Sequence, residues 1–544
     1  MVCYIVVVVT LLVASVFSTV YLSSIQYPTM SGEMEITTEH SFFIRDYWWL
    51  HLIIFAGLSF FLYKFKGFKI KNRKLFMTVM MLVIIGLCTY FVLAGNIVPR
   101  YDQRHVVLIA EQLKNGDNSC FDTNAYLFEY PFQLGIVRFY QLLGYVFGDG
   151  NYIAFQLINV IMIALTVWLT YLIFKKMEHE EYGFGHMIMY CVFLPYLVLS
   201  TLAYGSVPGL FCIALSMYFV TTLYEKKPIL AMVLGAISTI LATNFKLNEW
   251  VMTIAIIIFV LLQTIAKKVK IKHAIIFGVV LLATTFIVST SNEQYILKRS
   301  GGRHLEGAPM ICWIAMACQD GKMAPGWFNG YGLDVYRDNN FDDAITKKAS
   351  WEKIKEVLRE DIRDPKTGLS KYCKKFQSQW NNPTFESVWL VEDGDMEWLT
   401  KGWGRWLFIN FTNIIHTIIL TGCLLFAIFR FKDITLKELL FPLCLLGGVG
   451  FHLFWECQCM TAIPYIVMQL PVAVLGLHEW RLKLQSKTMT KKNWAIIVSV
   501  VCVLCCLSFV DVFQKGFARA EDTEIYDTFE MPLMVEGVDY GFEQ

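Results

Sequence analysis

The sequence predicts an all-α polytopic membrane protein: a bundle of about thirteen transmembrane helices, with juxtamembrane helices on its outer face and a small extracytoplasmic insert. Three observations carry this. The 544 residues are 56% hydrophobic and only 17% charged, with a mean hydropathy of +0.49, whereas a soluble domain carries about 25% charged residues. Apolar runs of about 20 residues, enough to cross a bilayer, recur along the chain. The connections between them alternate sharply in basic charge, and Lys and Arg collect on the cytoplasmic side.

The spans are read at 3–23, 47–63, 75–96, 152–174, 183–203, 207–224, 228–243, 249–266, 273–290, 404–430, 435–454, 460–478 and 494–511. The first lacks a basic segment ahead of its apolar run, so it reads as an uncleaved span and not as a signal peptide. Clusters such as Lys64–Lys74, Lys175-Lys176, Lys226-Lys227, Lys267–Lys272, Arg430–Lys437 and Arg481–Lys492 then all fall on one side. That places the N-terminus in the cytoplasm and, after thirteen spans, the C-terminus outside the plasma membrane. Residues 131–148 are apolar too, but short, with Arg138 and Gln141 in mid-run. A charge facing lipid costs about 2.5–3.5 kcal/mol, so this stretch reads as an interfacial helix on the outer leaflet.

Five units follow: an N-terminal hairpin (1–74), a transmembrane core (75–290) with an outer loop at 97–151, an extracytoplasmic insert (291–403), C-terminal spans (404–511) and an acidic tail (512–544). The insert begins with a Gly-, Trp- and Asn-rich stretch, GWFNGYG at 326–332. It continues with an amphipathic helix that puts Trp351, Ile354, Leu358 and Ile362 on one face, and then a second helix over 369–380. Most of the fifteen cysteines sit in apolar runs as small hydrophobes. Cys120, Cys312, Cys318 and Cys373 lie in polar segments, and whether they pair is left open.

The chemistry-bearing residues cluster at predicted outer span ends. Asp102 stands a few residues past a span, where a carboxylate can take a proton from an acceptor hydroxyl. The competing reading makes it the N-cap of a helix over Gln103–Lys114. Asp122 and Glu129 are further acids near the Tyr130-Pro131 turn, and solvated surface is the plainer reading of each. Lys246, flanked by Asn244, Asn248 and Glu249, has the point charge that suits a phosphate; a snorkelling lysine is the alternative. Arg138 on the interfacial helix has the same two readings. His452 and Glu456 lie at membrane depth, where ionisable groups are costly. Cys457 and Cys459 beside them match no zinc spacing. No Walker, G-x-S-x-G, H-E-x-x-H or G-x-G-x-x-G motif is present, which leaves ATP-driven, hydrolase, metalloprotease and dinucleotide chemistry without support.

With these pieces placed, the chain resembles the GT-C superfamily, and within it bacterial relatives of the protein O-mannosyltransferase and aminoarabinose transferase group. The resemblance rests on Asp102-Gln103 after a span, Tyr130-Pro131 before a helix ending Phe147-Gly148, the Tyr204-Gly205 turn, and Lys246-Leu247-Asn248. The segments from Gly307 to Gly332, KKFQSQWNNPTF and FHLFWE are similar to a subset in Gram-positive bacteria. An extra N-terminal hairpin, and Cys457-Gln458-Cys459 after Glu456, depart from the group.

The resemblance implies a GT-C-like bundle and transfer of a sugar from a polyprenyl-phosphate donor on the outer face. The acceptor would belong to the cell envelope: wall polysaccharide, teichoic acid, lipid or protein. Asp102 would be the general base, with Lys246 and Arg138 as phosphate contacts. Gln103, Asp122, Glu129, Tyr130, Tyr204, Asn248, His452 and Glu456 would bind substrate. No cofactor is certain, a divalent cation is left open, membrane lipids surround the chain, and no nucleic acid is expected. A transporter or lipid-linked-saccharide flippase is the alternative, with a non-catalytic scaffold third. A transporter would show half-repeats and mid-membrane charge, and the sequence shows neither.

Overall fold

The computed structural model describes residues 1–28, 34–46, 48–64, 72–177, 182–321, 324–392, 394–400 and 402–486. Among these residues the regular structure is helical apart from one antiparallel pair of strands. In order come α1 (Val2–Phe17), β1 (Ser18–Pro28), β2 (Met34–Arg45), α2 (Trp48–Lys64) and α3 (Arg73–Gly95). Next are α4 (Asp102–Lys114), α5 (Tyr126–Glu129), α6 (Leu134–Phe147), α7 (Tyr152–Lys176), α8 (Gly183–Val192), α9 (Leu194–Val198) and α10 (Ser206–Tyr218). Then follow α11 (Pro228–Phe245), α12 (Trp250–Ile265) and α13 (Ile271–Arg299). The insert holds α14 (Met310–Ala317), α15 (Tyr331–Asp338), α16 (Asp343–Arg363), α17 (Pro365–Trp380), α18 (Ser387–Leu390) and α19 (Glu397–Thr400). Three more close the bundle: α20 (Gly402–Phe429), α21 (Leu436–His452) and α22 (Ile463–Gln485).

Eight helices among the described residues are long and apolar enough to cross a membrane, or nine if one bent pair counts as a span. The bent pair falls on the predicted span 183–203, where α8 meets Leu194–Thr201 at 66°. Pro195 in the first turn of α9 explains the break, since proline restricts the residue before it and cannot accept a helix running through. The other predicted spans coincide with α1, α2 and α21, which are shorter. The span at 494–511 and the acidic tail lie outside the described residues.

The first span differs from the prediction. It ends at Phe17, and the chain then pairs as β1 with β2, Ser18 opposite Arg45. Ser18-Thr19-Val20-Tyr21 is β-branched and aromatic, which favours a strand. The end of α1 also finds an outside donor: Asn381 Nδ2 donates to Ala14 O (3.2 Å), and Asn381 O in turn accepts from Val20 N–H (3.1 Å) where the strand begins. A helix end satisfied in this way needs no further turn.

The core is built by close helix contact. At Gly476 an added Cβ would sit 1.8 Å from Gly422 O, so α20 and α22 touch backbone to backbone, the small-residue packing common between spans. Tyr4 of α1 donates to Gln469 Oε1 (2.7 Å), and Gln469 donates to Phe441 O (2.8 Å), next to Pro442 within α21. At the helix ends remote from the insert, Glu225 pairs with Lys176 (3.0 Å) and Lys437.

Too short to cross a bilayer, α6 packs Leu134, Val137 and Tyr140 on Val106, Ile109 and Leu113 of α4, forming a small second core. In the insert, α16 is rotated from the predicted face. It buries Thr346, Ser350, Ile354 and Val357, while Trp351, Leu358 and Ile362 are exposed. Small Thr346 and Ser350 let α16 approach α14, where Ser350 Oγ meets Cys312 Sγ at 3.4 Å. Cys120, Cys312, Cys318 and Cys373 are all free thiols.

Candidate active site

Span ends and insert enclose a cavity of about 1040 Å³. Its walls are the turns Arg100–Gln103, Tyr130–Gln133, Leu202–Tyr204, Lys246–Asn248 and part of His452–Thr461, with Trp389 beside them. Glu306–Ile311, Trp313, Trp327, Phe328, Asp343 and Lys347 of the insert form the roof. Sequence-distant turns meet here because four of them leave spans at the same end of the bundle, and the Tyr130–Gln133 turn is brought to them by α6, packed on α4.

Asp102 is the first residue of α4, and Tyr101 is its N-cap, without a side-chain cap. The N-cap reading of Asp102 therefore does not hold. Its Oδ2 instead accepts from the Tyr204 hydroxyl at 3.4 Å, with Tyr126 and His105 beside it. Tyr101 is held at φ +48°, ψ −129°, a sparsely populated conformation that costs about 1–3 kcal/mol and persists only where neighbours over-determine it. Those neighbours are visible. The Tyr101 ring stacks on Trp389 at 5.9 Å, and Arg100 lies 4.5 Å over the same indole while donating to Trp389 O. This scaffold aims the start of α4 into the cavity.

Gln103 is buried, and its Oε1 accepts from Ala203 N–H at 2.8 Å, so it clamps the Leu202–Tyr204 turn. Tyr204 stands between the two main charges. Its hydroxyl meets Asp102 and Gln133, and its ring lies 5.1 Å beneath Lys246 Nζ. A Cβ on Gly205 would sit 1.9 Å from Phe245 O, so only glycine lets this turn reach the Lys246 turn. Lys246 donates to Ser206 Oγ at 2.8 Å.

Both charges are open to the cavity yet surrounded by protein. Burial raises the Asp102 carboxyl above its ordinary range, and His105, the Tyr126 and Tyr204 hydroxyls and Lys246 oppose it. Burial also pulls the Lys246 ammonium below the usual lysine range, against the attraction of Glu249, Asp102, Glu386 and Glu456. Glu456 is pushed up to about 7, first by burial and then by the neighbouring Asp102 and Glu386 carboxylates. His452 is fixed by the Glu456 carbonyl, 3.2 Å from Nδ1. Tyr130 sets its ring edge-on to Phe132 and Trp313, and Asn248 also lines the wall.

Three predicted site residues lie elsewhere. Asp122 is exposed and pairs with Arg303 (2.8 Å). Arg138 donates to Ser291 Oγ (3.1 Å) and Asn292 Oδ1 (2.9 Å) on α13, 5.0 Å over Tyr295. Glu129 is buried beneath the Tyr130 turn, with its two oxygens on Arg337 Nε and Nη2 at 2.8 and 3.2 Å. That pair ties the turn to α15. Removing one partner of a buried pair strands the other charge, so Arg337→Ala should cost about 2–3 kcal/mol, visible as a lower Tm in a thermal melt. An unchanged Tm would show the pair to be screened by solvent.

Arg100, Tyr126, Trp389, Glu386 and the roof aromatics were missed in the sequence. For Arg100 the signal was adjacency to Asp102 at a span end, and for Trp327 and Phe328 it was the GWFNGYG run. For Trp389 there was none. Glu386 Oε1 accepts from Met460 N–H at 3.1 Å and so holds the turn that carries Glu456. Among the described residues no group of three or more His, Cys, Asp or Glu is arranged to hold a metal ion.

Fold and site together define a multi-pass membrane protein whose charge-bearing cavity lies at the ends of its spans. Residues 136–291, from α6 through most of α13 and including Tyr204 and Lys246, match the family described as dolichyl-phosphate-mannose-protein mannosyltransferase. No curated protein matches the chain. The family match bears out the resemblance read from the sequence: a membrane glycosyltransferase of the GT-C type.

Proposed function

We propose that the protein moves a sugar from a polyprenyl-phosphate carrier to a hydroxyl of a cell-envelope acceptor, on the outer face of the plasma membrane. The observation that carries this reading is the placement of Asp102 and Lys246 on either side of Tyr204 in one cavity. As the acceptor oxygen bonds to the anomeric carbon, Asp102 takes its proton. The bond from that carbon to the carrier phosphate breaks, the electron pair leaves with the phosphate, and Lys246 holds the resulting charge. Attack opposite to departure inverts the anomeric carbon. Arg138, whose guanidinium is engaged by Ser291 and Asn292 on α13, is given no part in this step.

The test is reconstitution of the full chain into vesicles with short-chain polyprenyl-phosphate hexoses. The expected result is release of free polyprenyl phosphate. Movement of intact lipid-linked sugar across the bilayer with no cleavage would instead favour the flippase.

A further inference from the structure

We propose that the acceptor is itself a saccharide, seated on the insert side of the cavity. This rests on the transfer reading and adds the acceptor's class. The roof carries Trp313 and Phe328, and the adjoining turn carries Tyr130 and Phe132. Phe328 and Phe132 are 40% and 43% exposed. The Trp313, Tyr130 and Phe132 rings are held edge to face in a chain, 5.9 Å between neighbouring centroids. Glu306 and Asp343 line the same cavity, Asp343 paired with Lys347.

Aromatic faces interleaved with carboxylates suit a sugar ring. Its C–H face carries partial positive charge toward the negative face of a π-system, and its hydroxyl rim donates to carboxylate oxygens. A lipid chain is poorly served by a wall carrying Glu306 and the Asp343–Lys347 pair, because taking charged groups out of water against hydrocarbon is costly. A peptide that binds by adding a strand to a sheet edge finds no edge here, since none of the residues lining this cavity lies in a strand. Space agrees: a cavity of about 1040 Å³ is at the upper limit of about 300–1,000 Å³ for a single ligand, leaving room for an acceptor ring beside the donor sugar.

The test is saturation-transfer NMR on the full chain in nanodiscs, with a panel of short neutral oligosaccharides built from hexose and N-acetylhexosamine units. A Ser/Thr-rich peptide and a free polyprenol are run alongside. At least one oligosaccharide should bind through its ring C–H protons. Phe328→Ala and Trp313→Ala should each weaken that binding about tenfold at unchanged Tm, the loss of one ring contact, and Trp313→Phe should restore most of it. No binder in the panel, or binding that survives both alanine substitutions, overturns the proposal. So does binding of the peptide or the polyprenol that the same substitutions abolish. Slow hydrolysis of the donor by water is followed in parallel. If it persists while no saccharide binds, this inference alone fails; if it is absent from the unsubstituted protein, the transfer reading fails with it.

Discussion

Asp102→Asn lowers transfer by about a thousandfold while the protein folds as before, the magnitude expected when a positioned general base is removed. The exchange is nearly isosteric, and the carboxamide can still meet the Tyr204 hydroxyl that now lies 3.4 Å from Oδ2. Stability separates this outcome from a structural one. An N-cap lost would cost about 1 kcal/mol, but Tyr101 occupies that position. An acid in the first helical turn contributes about 0.3–1 kcal/mol through the helix dipole. Against this, burial holds the Asp102 carboxyl above its unfolded value. A group shifted in that direction favours the folded state at low pH, and its contribution falls as pH rises from the unfolded pKa to the folded one. At neutral pH the uncharged Asn therefore recovers part of what the dipole loses. Transfer rate and Tm measured together decide the matter, and parallel losses would return Asp102 to a structural role. In the unsubstituted enzyme the acidic limb of the rate profile should lie above the ordinary carboxylate range, and the variant should lack it.

What could be read from the sequence follows a physical line. Asp102, Tyr204, Lys246 and Glu456 were legible because each stands within a few residues of a span end, and membrane topology alone brings such span ends to one face. Glu129 and Asp122 were misplaced because their partners, Arg337 and Arg303, come from the insert, and no local pattern announces an ion pair across such a separation. Arg138 was credited to lipid phosphate because its helix was read without α13 beside it. The α16 stripe was assigned from apolar period alone, yet the buried face is the one whose small Thr346 and Ser350 permit close approach to α14. The first span was read too long because hydropathy scores Val20 and Tyr21 alike in helix and strand, and the donor that ends α1 is Asn381, in the insert.

Lys246→Ala raises the donor KM about tenfold to a hundredfold, the range expected when a charge-assisted hydrogen bond to a phosphate is lost. A second effect identifies the residue's place in the site. The Lys246 ammonium opposes the burial that raises Asp102, so its removal lets the Asp102 pKa climb further and moves the acidic limb to higher pH. On the alkaline side, burial holds the Lys246 pKa below that of an ordinary lysine, so the unsubstituted enzyme should lose donor affinity earlier than a surface lysine would allow. That limb should vanish in the variant. Lys246→Arg keeps the charge but replaces a compact ammonium with a planar fork. It should restore the acidic limb while recovering KM only in part. A snorkelling lysine that merely anchors its turn on Ser206 would leave the donor KM and the alkaline limb where they were and show its loss in Tm. A raised donor KM and a shifted acidic limb at constant Tm together identify Lys246 as a charge that both the donor and the Asp102 carboxylate sense, from opposite sides of Tyr204.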